Sequence, residues 1–358
     1  MIESNLSEQK KYSSSGKFPL ASIIITNYNY EKFLPRAIDS ALQQTYPKKE
    51  IIVVDDGSTD NSRHIINQYE GKIKPVFQEN KGRASALNTG VFASRGEIIF
   101  FLDADDTFSP HKVGKMVGYY LQVMPQTPEA MIFHCLEMTT EEGIVLGFTP
   151  KRLQTLDGQK KNGPFEKLSD PASAYRHVQK WGYVPFFTSP TSGLSLTRPL
   201  ARSIFPLPEA MKQYQDSLLV FAAMLLGTLY GSSQILGSYI LHGDNISLAQ
   251  RANHDSNDPH QITEIFLNDI LQKMKKERIV SFYESRYARA FYKSSGSIKG
   301  LLKLVYKVPD RCFCWETICF SLRTLKHCLS LLLGITRKTR LPRATKLFEK
   351  EKERQAKD

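Results

Sequence analysis

Asp103, Asp105 and Asp106 place three carboxylates within four residues, directly after the apolar run Ile98-Ile-Phe-Phe-Leu102. Crowded at one strand end, such groups repel one another unless a cation lies among them. Oxygen-only donors suit Mg²⁺ or Mn²⁺, which also take phosphate oxygens and water. A helix cap would use one acid and leave two unexplained, although Ser109-Pro110 does open a helix soon afterwards. Asp55-Asp56-Gly57-Ser58-Thr59-Asp60 reads as a turn and cap through Gly57 and Asp60. Two acids at the mouth of a crevice can also accept hydrogen bonds from a nucleobase or ribose. In Asn80-Lys81-Gly82-Arg83, two cations precede a helix start, where free amides and the helix dipole favour phosphate. No G-x-x-x-x-G-K-S/T loop is present and no G-x-G-x-x-G follows the first strand, which argues against a P-loop ATPase and a dinucleotide dehydrogenase.

These segments need a scaffold that brings them together. Ala21–Thr26 and Ile51–Val54 are short β-branched runs of the kind buried parallel strands use. Residues 73–77 and 98–102 supply two further strands. Between them, Glu31–Gln44 carries apolar residues at Phe33, Leu34, Ala37, Ile38, Ala41 and Leu42, which is helical spacing, and Pro47 prevents continuation. Helices also follow towards Tyr69 and over Arg83–Ser94. Repeated β-α units of this size predict a doubly wound, mostly parallel α/β sheet flanked by helices. In such sheets ligands bind beyond the carboxyl ends of the strands, where chain order reverses. That rule gathers Thr26–Asn29, Asp55–Asp60 and Asp103–Asp106. Further along, Lys151–Pro164 reads as a mobile polar loop, Met211–Leu226 as a helix stopped by Gly227, and Ile262–Arg278 as an amphipathic helix.

Four stretches carry a resemblance: Ser22-Ile-Ile-Ile-Thr-Asn-Tyr-Asn29, Asp55–Asp60, Asn80–Gly90 and Gly96–Asp106. In order and spacing they resemble the motifs of the family 2 glycosyltransferases, which have the GT-A fold. The match is clear over residues 20–106 and looser to about 250. The resemblance implies inverting transfer from a nucleoside diphosphate sugar, often a UDP-sugar, to an acceptor hydroxyl. It assigns Thr26, Tyr28 and Asp56 to the base, Arg83 to the base or phosphates, and Asp103 to the ribose side; Asn29, Lys81 and Ala104 beside them are expected to bind the nucleotide sugar as well. Asp105 matches the metal-binding position, and His242 resembles a histidine close to the metal or diphosphate. The family's general base usually lies in a Glu-Asp pair; here Gln215-Asp216 matches it, so the role falls to Asp216 despite the departure at Gln215. Thr191-Ser192-Gly193 resembles the loop under the acceptor.

Composition bounds the rest. The chain has 358 residues, 41% hydrophobic and 23% charged, as expected of a folded protein. The resulting division is an N-terminal arm over 1–17, a catalytic domain over 18–255 (nucleotide half 18–110, acceptor half 111–255) and a helical basic extension over 256–358. No uncharged apolar stretch reaches the length of a membrane span, and Glu316, Arg323 and Lys326 interrupt the nearest candidate. The five cysteines, four of them clustered between Cys312 and Cys328, suit reduced thiols of a cytoplasmic protein. Leu301–Asp358 holds 14 Lys/Arg against 6 Asp/Glu, a surplus of +8. Together with its apolar residues, segment 301–343 suits peripheral contact with an anionic membrane, where a lipid-linked or other glycan acceptor would lie. Specific nucleic-acid binding is not expected, because the charge sits outside the core. Two competing readings remain: a catalytically silent nucleotide-sugar-binding protein, and a nucleotidyltransferase, which would need a glycine- and lysine-rich loop after the first strand. Multiple membrane helices and a Q-x-x-R-W motif are missing, so processive polymer synthesis is not expected.

Overall fold

The computed structural model describes residues 18–149, 153–156, 159–181, 190–211, 214–243 and 259–276. The N-terminal arm and segment 301–343 lie outside the described residues. Strand β1 (Ala21–Asn27) lies between β2 (Lys49–Asp56) and β4 (Ile98–Asp103), parallel to both, and β3 (Lys74–Gln78) continues the parallel array beside β2. Helices α1 (Leu34–Leu42), α2 (Ser62–Asn67) and α3 (Arg83–Ala93) make the crossovers. The chain steps outward from β1 to β3 and α3 then returns it to the far side of β1. That reversal opens a crevice at the carboxyl ends of β1 and β4.

Side-chain alternation along these strands builds two cores. Ile23 and Ile25 of β1, Ile51 and Val53 of β2, and Phe100 and Leu102 of β4 pack against Leu34, Ala37 and Ile38 of α1. Their neighbours Ile24, Ile52, Val54, Ile99 and Phe101 point to the other face, against Ala84, Leu87 and Val91 of α3. Both faces are therefore apolar, which explains the unbroken β-branched runs. Helix α4 (Lys112–Val123) joins the first core through Val113, Met116, Val117 and Tyr120.

The second half widens the sheet. Strands β6 (Ala130–Thr140), β11 (Leu194–Thr197) and β12 (Thr228–Leu241) extend it beyond β4, in the order β12-β6-β11-β4. β11 runs antiparallel to β4, whereas β12 is parallel to β6. Short strand β5 (Thr107–Phe108) pairs with β12, β7 (Val145–Thr149) with β6, and β10 (Phe165–Ser169) with the outer side of β12. Helices α5 (Pro171–Trp181), α6 (Arg198–Ile204) and α7 (Gln215–Leu226) follow.

Two expectations change. Within the expected loop 151–164, β8 (Leu153–Gln154) and β9 (Lys160–Lys161) pair as a hairpin. Leu153, buried with Leu168, anchors it despite the polar flanks. Helix α1 begins at Leu34 rather than Glu31, because the Glu31 carboxylate accepts the Asn61 amide and its own amide donates to Asp60. Helix α8 (Pro259–Lys273), on the extension side of residue 255, buries Ile262, Phe266, Leu267 and Ile270 in the same core as α7.

Candidate active site

Each part of the crevice is placed by a strand end. Thr26 pairs with Asp103, and Asn27 with Asp55, so the loops after β1, β2 and β4 emerge side by side. Asn27 Nδ2 donates to Asp55 Oδ2 (2.9 Å) and to Ser58 Oγ (3.1 Å). Asn29, held at φ 58°, accepts the Thr59 amide on its side-chain oxygen at 2.7 Å. The first two loops are thereby fastened together, with Tyr28 exposed at their rim.

Asp56 is buried and already engaged. Its oxygens accept the amides of Lys81 (3.0 Å) and Gly82 (2.8 Å) and the side-chain amide of Gln78 (2.7 Å). It thus fixes the loop that opens α3 and carries Lys81 and Arg83. Gly57 is required where the two loops meet: it sits at φ 75°, and a Cβ there would lie 2.6 Å from the Asn80 nitrogen.

Arg83 crosses the crevice. Its Nη2 lies 2.5 and 2.6 Å from the two oxygens of Asp103 and donates to Thr191 Oγ1 at 2.8 Å. Burial works against the guanidinium charge, but Asp103, Asp216 and Asp105 around it outweigh that effect and raise its pKa. Asp103 is pushed above the usual carboxylate range by burial and by Asp105, with Arg83 drawing it back. Asp106 is pushed well above it by burial and its two acidic neighbours. The Asp106 side chain accepts the Ile240 amide at 3.1 Å on Oδ1, while Oδ2 is buried without a hydrogen-bond partner among the described residues. Oxygens of Asp103, Asp105 and Asp106 lie within 4.8 Å of one another. An all-oxygen set of this spacing, with an orphaned buried oxygen, fits a hard divalent cation.

Because β11 is antiparallel to β4, the turn that starts it, Thr191–Gly193, lies beside Asp103. Ser192 Oγ accepts the Asp103 amide at 3.0 Å. At the end of β12, His242 stacks on Phe33 (centroids 4.2 Å apart), and its Nε2 lies 3.2 Å from Asp105 Oδ2. Asp216 opens α7 after Tyr214, which adopts a left-handed φ of 64°. Burial raises the Asp216 carboxyl above its usual range, and nearby Arg83 opposes the rise. Gln215 turns inward, donating to the Met211 carbonyl at 2.8 Å.

A crevice that combines a carboxylate cluster, a bridging arginine and a second-half acid can now be set beside known proteins. Residues 22–164 match the family model "Glycosyl transferase family 2". An uncharacterized glycosyltransferase of Nostoc sp. is 34% identical over 264 residues, covering 71% of this chain and 76% of the relative. The chain belongs to glycosyltransferase family 2. Another glycosyltransferase, from Rickettsia typhi, is 28% identical over 288 residues, covering 78% of this chain and 82% of its own. S. aureus TarS 1–349 in complex with UDP-GlcNAc superposes with a TM-score of 0.53 at 15% identity, over 87% of this chain and 81% of that one, a likeness of GT-A fold.

This family 2 glycosyltransferase is an enzyme that transfers sugar from a nucleotide sugar. Among the sequence-nominated residues, Arg83, Asp103, Thr191 and Ser192 are joined by hydrogen bonds, Asp105 and His242 by another, and Asp216 lies within the electrostatic reach of Arg83 and Asp103. Thr26, Asn29, Asp56 and Lys81 line the adjoining first-half loops, and Ala104 is buried between Asp103 and Asp105. Sequence reasoning passed over Lys112. Yet Lys112 shares an i, i+4, i+8 stripe with Met116 and Tyr120, and a lysine on a buried stripe is itself a signal. Among the described residues, no helix is long and apolar enough to cross a membrane.

Proposed function

We propose that this glycosyltransferase works by single displacement with inversion, from a UDP-sugar donor and with Mn²⁺ or Mg²⁺, in building cell-surface polysaccharide or glycoconjugate. The observation that carries the reading is the meeting of Asp103, Asp105 and Asp106 with Arg83 and, from the opposite half of the chain, Asp216. A UDP donor is supported by the fold neighbour TarS, which was solved with UDP-GlcNAc.

In this reading Thr26, Tyr28, Asn29 and Asp56 face the nucleoside, and Lys81, Arg83, Asp103 and Ala104 the ribose and phosphates. Asp105, with Asp106, Asp103 and His242 about it, would hold the cation. When bound, the cation supplies neutralisation of charge on the departing diphosphate. Asp216 takes the proton of the acceptor hydroxyl, and the oxygen bonds to the anomeric carbon. The bond from that carbon to the diphosphate breaks, the leaving oxygen keeps the electron pair, and the configuration inverts. Thr191–Gly193 supports the acceptor side.

The deciding experiment is a calorimetric screen of UDP-, GDP- and dTDP-sugars with and without Mn²⁺. UDP-sugars are expected to bind in a metal-dependent way. A preference for GDP or dTDP donors would overturn the nucleotide assignment, and binding without metal would overturn the cation.

A further inference from the structure

We infer that Lys112 is a positioning residue for the reaction centre, acting through the turn Thr191–Gly193. The inference rests on the sugar-transfer reading of the same site.

Lys112 is the first residue of α4 and is fully buried, among the largest side chains with no solvent access. Its Nζ donates to the Ser192 carbonyl at 2.6 Å and lies 3.2 Å from the centroid of the Phe108 ring. Lysine is rarely buried without a specific reason, because the ammonium loses its hydration. Here the reason is local. Ser192 is held at its carbonyl by Lys112, and at its hydroxyl it accepts the Asp103 amide. One residue earlier, Thr191 Oγ1 receives Arg83. A single turn therefore sets the position of Asp103, a member of the carboxylate cluster, and of Arg83, which holds Asp103 from across the crevice, and Lys112 holds that turn from behind.

Being buried, Lys112 does not face the crevice and cannot touch the donor or the acceptor. What it contributes is a donor at the Ser192 carbonyl, and an amine would serve there as well as an ammonium. Supporting bonds of this kind around an ion site typically change affinity or rate by roughly 10- to 100-fold when removed.

The test uses the full-length chain in three variants: Lys112→Met, which removes the donor; Lys112→Gln, which keeps one; and Tyr120→Phe. Tyr120 is an equally buried residue of α4 whose hydroxyl bonds Ser195 of β11 and the Ile132 amide rather than the turn itself. The readouts are melting temperature and UDP-sugar affinity by calorimetry across a Mn²⁺ titration. The expected result is donor affinity about tenfold or more weaker in Lys112→Met, within about threefold of the parent in Lys112→Gln, and unchanged in Tyr120→Phe at a comparable loss of melting temperature. Parent-like affinity in Lys112→Met overturns the inference. So does equal loss in the Met and Gln variants, or loss in all three that tracks their melting temperatures. Should Lys112→Met not fold, Lys112→Gln decides: a loss under about threefold supports the inference and a larger loss overturns it. Failure of the parent chain to bind UDP-sugar would instead count against the function proposed above.

Discussion

Arg83 holds Asp103 through one nitrogen, Nη2, which meets both carboxylate oxygens. The pair spans the crevice from α3 to the end of β4, and among the described residues the hydrogen bonds of the guanidinium to Asp103 and Thr191 all run through Nη2. Arg83→Met should weaken donor binding about tenfold or more, measured by calorimetry, since a charge-assisted contact is removed. Stability should fall by only about 1 kcal/mol, because the guanidinium side chain is 34% exposed and solvent screens the pair. Undiminished donor affinity would confine Arg83 to a structural part.

Asp216→Asn should bind donor as the parent does and turn over at least about a hundredfold more slowly. Because burial raises the Asp216 carboxyl, the acid side of the kcat profile in the parent should fall off above the pH range of an ordinary aspartate. A base must be deprotonated to act, so activity is present above that point and lost below it. Normal turnover in the Asn variant would remove Asp216 from the role.

Asp105→Ala should abolish the gain in donor affinity that Mn²⁺ confers on the parent, while affinity without metal stays nearly level. Paired titrations with Mn²⁺ and with chelator read this directly. If the metal-dependent gain survives, the cation is held elsewhere.

Glu50 offers a pH test away from the crevice. Burial opposes its ionisation, but the Ser22 hydroxyl (2.6 Å), the Arg95 amide (2.6 Å) and the Arg95 guanidinium outweigh that and hold its carboxyl below the usual value. A folded-state pKa below the unfolded one gives stability that is complete above the unfolded value, near 4.5, and is lost as pH falls through the folded one. Glu50→Gln should therefore melt lower at neutral pH and differ less from the parent in acid. Parallel melting curves at pH 7 and pH 3 would contradict this.

Removing residues 301–358 should reduce sedimentation with vesicles containing anionic lipid, with little change for neutral vesicles, because the +8 surplus lies there. Equal sedimentation of the full and shortened chains would end the membrane reading.

The parallel half of the fold was legible because it repeats. In β1, β2 and β4 both faces are buried, so an unbroken apolar run identifies a strand, and its first polar residue marks the crevice. The second half was less legible. β7 and β10 pair antiparallel at the outer edges, β12 pairs with β6 across a long separation in sequence, and Ile144, Val145 and Phe148 are exposed, so periodicity says little about them. The hairpin at Leu153 was hidden for a similar reason, since one buried leucine outweighed its polar neighbours. Within the site, Asp103 and Asp105 were readable from local crowding. Lys112, lying six residues after Asp106, was not, because its partner Ser192 is 80 residues away.

Helix α8 alters where this polypeptide can be shortened. Phe266, Leu267 and Ile270 share one core with Leu218, Leu219 and Ala222 of α7, the helix that begins at Gln215-Asp216. A chain cut at residue 255 would bare an oily groove along the shaft carrying the proposed base, Asp216, and would be expected to aggregate. A cut after Lys276 keeps that seam closed, so a loss of activity upon trimming beyond it can be assigned to the basic tail rather than to a loosened α7.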